Sequence, residues 1–104
     1  MKAKVVYSIN PKWFLADEDN IPSLIDVMCD YRLVAEMEVP SEESMETARE
    51  WVFAELNYNP EKWIPVLPDR VNHTSMSVGD IVYLEDGKER HAYLCIPVGW
   101  KELK

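Results

Sequence analysis

Apolar and polar positions alternate residue by residue in three stretches of the chain and recur at helical spacing in two others. The clearest alternation lies between positions 74 and 100. Ile81-Val82-Tyr83-Leu84 is rich in β-branched and aromatic residues, which suit a pleated, half-buried surface. Asp86-Gly87 follows, a pair that supplies the positive-φ positions of a tight hairpin turn. The return run, 91–96, sets Tyr93 and Cys95 on one face and Ala92, Leu94 and Ile96 on the other. A first strand is predicted over 2–9, where Val5, Tyr7 and Ile9 alternate with Lys4, Val6 and Ser8 until Asn10-Pro11 stops it. A second is predicted over 31–39, with Leu33, Ala35, Met37 and Val39 facing one way and Arg32, Val34, Glu36 and Glu38 the other.

Helical spacing appears first at Ile21, Leu24, Ile25 and Met28, which line one face of a short helix reaching Asp30. Asn20 is its expected cap, and Pro22 is tolerated in a first turn. A longer helix is predicted over 42–57, capped by Ser41, with Glu42 and Glu43 in its first turn beside the positive end of the helix dipole. Its core stripe is Met45, Ala48, Val52 and Leu56, flanked by Trp51 and Phe53. From 61 to 73 three nearby prolines, Pro60, Pro65 and Pro68, favour an extended or turning chain. Trp63, Ile64, Val66 and Leu67 require that stretch to pack on the sheet or the long helix. Trp13-Phe14-Leu15 is an apolar knot expected to close one end of the core. The fold class these elements imply is α+β. A small, mostly antiparallel sheet of about four strands carries one long and one short helix, in a single domain over 1–104.

Charge changes the picture more than composition does. The formal net charge of −8 disfavours phosphate-backbone binding, which depends on clustered Lys and Arg releasing counterions. A protein partner with a basic surface fits better. The candidate contact residues are Asp17, Glu18 and Asp19 before the short helix, with Glu43, Glu46 and Glu50 along the polar side of the long one. Helix stabilisation and solubility account for the same residues without a partner. The alternative is a small nucleic-acid-binding module using the hairpin face, with Lys88, Arg90, His91 and Lys101. A free hairpin edge would also allow a homodimer.

Candidate chemistry is sparse. His73, His91, Cys29 and Cys95 are not at metal-ligand spacing, there is no nucleophile elbow, and three glycines make no phosphate cradle. The expectation is therefore no enzyme, no catalytic residue, no metal and no cofactor. A base-stacking platform is normally interleaved with Arg and Lys; beside Trp13, Trp51, Trp63 and Trp100 the basic neighbours read from the sequence are Lys12, Lys62 and Lys101, and the four tryptophans are assigned to core and rim packing. The two cysteines are read as buried free thiols. Residues 1–10 lack the continuous apolar core of a signal peptide, and no run approaches a bilayer span, so a soluble, cytoplasmic protein without membrane attachment is expected.

The stretch S-M-S-V-G-D-I-V-Y-L, the D-G turn and the aromatic-bearing strand ending in G-W-K-E-L resemble the carboxy-terminal part of small proteins of plasmids, phages and related mobile elements. These include the YodL-like domain. Val34-Ala35-Glu36-Met37-Glu38-Val39, followed by a helix with an aromatic near its end, is similar too, so the resemblance covers 31–103. His73-Thr74 stand where an Arg is expected, and the proline-rich stretch from 60 to 68 has no counterpart. The resemblance implies a small accessory protein of a mobile element and carries over no catalytic residue; together with the acidic balance and the lack of catalytic spacing, it makes an accessory or host-modulating factor acting through protein contacts the expectation. Within the motif, Val78-Gly79-Asp80 reads as a turn whose aspartate bonds nearby backbone N–H groups.

Overall fold

In the computed structural model, which describes residues 1–40 and 44–103, the two amino-terminal strands lie side by side and antiparallel. β1 (Lys2–Ser8) pairs with β2 (Tyr31–Glu38) from Lys2 opposite Glu38 to Ser8 opposite Tyr31. On the other flank of β1 lies β3 (Ile81–Asp86), followed by β4 (Glu89–Ile96) and β5 (Gly99–Leu103). The order is β2-β1-β3-β4-β5, with every ladder antiparallel. The sheet thus has five strands rather than about four. The added one is the G-W-K-E-L run, turned back on β4 by a two-residue Pro97-Val98 loop in which proline presets the turn.

The first hairpin differs from expectation in one detail. Asp86 still pairs with Glu89, so the loop is Gly87-Lys88, and only Gly87 takes positive φ (62°). That is the φ pattern of a type II′ turn, in which glycine at the first central position matches the strand twist.

The strand β2 also departs from simple alternation. Val5 faces Ala35 but Val6 faces Leu33, leaving Val34 as an extra residue in β2. A bulge of this kind reverses which way the earlier side chains point. Ala35, Met37 and Val39 are buried as predicted, whereas Leu33 turns to the other face and is 51% exposed.

Each face of the sheet is covered differently. On one, α2 (Met45–Tyr58) crosses over β1, as it must to carry the chain from β2 to β3. It lays Ala48, Val52 and Leu56, all fully buried, on Ala3, Val5, Val82 and Leu84. The described start of α2 is capped by Ser44, which exchanges hydrogen bonds with Thr47 in a capping box. Ser44 itself is extended, so the described helix starts at Met45. The expected cap Ser41 and first-turn Glu42 and Glu43 lie outside the described residues. The proline-rich connection begins with a one-turn helix, α3 (Pro60–Trp63), with Pro60 in its first turn where no N–H is needed. Ile64 and Val71 then join the α2 cluster, while Val66 points outward.

The opposite face is covered in part by a 3-10 turn at Pro11–Leu15, whose buried Trp13 packs with Ala16, Tyr31, Ile81, Leu94 and Ile96. Of the predicted apolar knot only Trp13 is inside; Leu15 is 77% exposed. Among the described residues no helix is long and apolar enough to cross a membrane.

Candidate functional site

Between Trp13 and β2 runs the short helix α1 (Leu24–Asp30), one turn shorter than predicted. Ser23, not Asn20, caps it. The Ser23 N–H donates to Asp26 Oδ2 at 2.8 Å, and the Asp26 N–H returns to Ser23 Oγ at 3.2 Å. These bonds hold the exposed Asp26 carboxyl below its ordinary pKa. Asn20 instead donates its amide to the Leu15 carbonyl. At the far end Asp30 Oδ2 accepts the Trp13 indole N–H at 2.9 Å and the Asn10 amide at 3.2 Å, and its carbonyl accepts from Ile9.

Polar caps and one anchored aspartate therefore hold α1, and none of its residues is buried. Leu24, Ile25 and Met28 are 76%, 71% and 74% exposed, and Ile21 is also outward. The apolar face of this helix is turned to water. Val27, from the other side of the helix, makes the contact with the Trp13 cluster. Burying such a stripe would gain about 1.5–3 kcal/mol per side chain, so its exposure is an unusual expense for a small domain.

The six acidic candidates do not form one patch. Asp17, Glu18 and Asp19 lie just before α1, on the Trp13 side of the sheet. Asp17 Oδ1 accepts the backbone N–H of Asp19 (2.8 Å) and Asn20 (2.7 Å), and Glu18 reaches Lys101 of β5 at 3.3 Å. Glu46 and Glu50 belong to α2 on the opposite face, where Glu50 Oε1 accepts the Trp100 indole N–H at 2.7 Å. Glu43 lies outside the described residues. Neighbouring residues of edge strand β5 are thus held by acids from both faces, but the sheet separates the two groups.

Of the four basic residues named for the hairpin face, Arg90, His91 and Lys101 are engaged by carboxylates. Arg90 lies 3.7 Å from Glu85 and over the Tyr83 ring, and Lys101 is paired with Glu18. His91 Nδ1 meets Glu102 at 3.0 Å with Glu89 nearby, and the bond to Glu102 raises the imidazole pKa. Lys88 sits in the turn itself. Phosphate would have to displace these partners.

The Ser75–Asp80 motif is a structural knot. Asp80 is fully buried; Oδ1 accepts the Ser8 N–H at 2.9 Å, and Oδ2 accepts the Ser77 N–H at 2.8 Å and meets His73 Nε2 at 2.9 Å. Burial pushes the carboxyl above its ordinary pKa, against the lowering effect of these partners. Sequence reading anticipated the backbone bonds but missed His73, which approaches from seven residues upstream and stacks on Tyr7 with ring centroids 4.6 Å apart. Gly79 fits beside Trp13 with φ +96°; a Cβ there would meet the Trp13 carbonyl oxygen at 2.1 Å.

His73, Phe14, Asn72, Ser77 and Val78 line an open cleft of about 480 Å³. A carboxylate-oriented imidazole is one half of a general-base arrangement, yet the other ring nitrogen faces Asn72 Oδ1 at 3.2 Å. Among the described residues no hydroxyl or thiol is hydrogen-bonded to that ring, and no group of three or more His, Cys, Asp or Glu could hold a metal. The cysteines are both free, but only Cys95 is buried, with its thiol pKa pushed up to about 11; Cys29 is exposed on α1. Compared with protein-family models, curated proteins and solved structures, the chain shows no match to any of them.

Proposed function

We propose that this protein is a non-enzymatic, acidic interaction protein that works in the cytoplasm by binding another protein. The observation that carries this reading is the outward apolar stripe of α1. A contiguous apolar surface on a small domain costs solubility and is usually kept because something covers it. The acidic balance directs the choice toward partners with basic surfaces. Assignment as an accessory or host-modulating factor of a phage or plasmid rests on the resemblance of the motif from Ser75 onward.

Immobilised protein exposed to a bacterial lysate in low and in high salt tests the reading. A discrete protein retained at low salt and released at high salt is expected. Retention of nothing beyond a blank matrix at either salt concentration would remove it.

A further inference from the structure

We infer that the cleft between α2 and the start of β5 binds a methylated ammonium head group, the trimethylammonium end of a choline-like molecule or of a methylated lysine. The site lies apart from α1 and does not depend on the interaction reading above.

Aromatic rings, apolar side chains and one carboxylate line this cleft. Phe53 of α2 and Trp100 of β5 stand at 86° with ring centroids 5.9 Å apart, which makes an aromatic corner, and Cys95 and Ile96 of β4 lie beside it. The negative face of such a ring attracts a cation held within about 6 Å. Glu50 lines the same cleft. Its Oε1 accepts the Trp100 indole N–H at 2.7 Å, which fixes the carboxylate beside the rings without neutralising it, because the indole is an uncharged donor. Among the described residues no Lys, Arg or His forms an ion pair with Glu50. The nearby cations are committed elsewhere: Arg49 lies over the Tyr93 ring at 4.9 Å, and Lys101 pairs with Glu18. Glu46, one helical turn before Glu50, adds to the negative field.

Size and lining narrow the ligand. A volume of about 180 Å³ equals about six waters, too little for a ligand of the roughly 300–1,000 Å³ class but enough for a small head group. A metal ion or a primary ammonium would need several oxygen partners in place of its water, and the side chains here supply one carboxylate. A methylated ammonium spreads its charge over carbon-bound hydrogens and needs no such set, so ring faces and a single carboxylate suit it.

The test titrates the full chain with choline and with its uncharged carbon isostere, neohexyl alcohol, and follows the Trp100 indole N–H by NMR. Choline should shift that resonance with a Kd of about 1 mM, and the isostere should bind at least about 5-fold more weakly. Glu50→Gln keeps an oxygen for the indole N–H and removes only the charge, so it should keep its Tm and weaken choline about 5-fold. Phe53→Leu removes one ring face and should weaken choline about 2- to 5-fold. A peptide carrying trimethyllysine separates the two sources: tighter binding than choline assigns the site to a protein side chain, and equal or weaker binding assigns it to a free cation.

No shift of the Trp100 indole in about 10 mM choline, which would fill about 90% of a site with a Kd of about 1 mM, overturns the inference. So does an isostere that binds as tightly as choline, since shape alone would then account for the cleft. A folded Glu50→Gln variant with unchanged affinity for choline overturns it as well. None of these results bears on capture of a lysate protein, so the interaction reading stands or falls separately.

Discussion

Replacing Asp80 tests how the Ser75–Asp80 motif holds the sheet together. Its carboxylate has no exposure to water and ties three parts of the chain: the end of β1 through Ser8, its own loop through Ser77, and the proline-rich connection through His73. Asp80→Ala leaves two backbone N–H groups and one imidazole without an acceptor, and each orphaned group costs about 1–3 kcal/mol. The total, about 3–9 kcal/mol, is a large share of the roughly 5–15 kcal/mol that stabilises a domain. Asp80→Asn should cost less, about 1–3 kcal/mol, because its remaining oxygen can still serve Ser8. Its amide can donate to a neutral His73 nitrogen, leaving the Ser77 N–H as the main loss. Urea unfolding followed by tryptophan fluorescence measures both variants through their midpoints, provided the slope is unchanged. Hydrogen exchange at the Ser8 and Ser77 amides adds a local readout. An Asp80→Ala cost below about 1 kcal/mol, or an Asn variant as damaged as the Ala variant, would refute the reasoning.

Three further outcomes follow from the same structure. Gly79→Ala should cost at least about 2 kcal/mol, whereas Gly87→Ala, with positive φ but open space around it, should cost only about 1 kcal/mol; thermal melts of both separate steric conflict from backbone strain. The His91 imidazole should titrate above the ordinary value of about 6.5 and fall back in Glu102→Gln, as read by NMR. Because its folded pKa is raised, the favourable contact with Glu102 is present in full at low pH and is lost as pH rises through that value. Cys29 should react with a thiol reagent at once in the native state, whereas Cys95 should react only on unfolding; equal rates would contradict its burial.

Much of the secondary structure was legible because strands and helices carry their period locally. Both faces of β4, the inward side of β1 and the stripe of α2 follow directly from spacing. The misses have separate physical causes. Leu33 was assigned to the wrong face because a bulge one residue away is a property of pairing, visible only when β1 lies beside β2. Asn20 is a plausible cap, but Ser23 has the partner three residues on, Asp26, that closes a box, as Ser44 has in Thr47. The run G-W-K-E-L gave too short an alternation to stand as a strand until β4 supplied its hydrogen bonds.

For the candidate site the division is sharper. Sequence alone established that α1 would be amphipathic, that Asp80 would bond to backbone N–H groups, and that negative charge would dominate. These depend on residue identity and on neighbours a few positions away. Tertiary structure decided that the apolar side of α1 would stay in water, that His73 would join Asp80, and that the acidic residues would be divided by the sheet. Periodicity shows that a helix has an apolar side but not whether a surface remains for it to cover. Here α2 takes one face of the sheet, and Trp13 with Val27 takes the place on the other that the stripe of α1 would have filled.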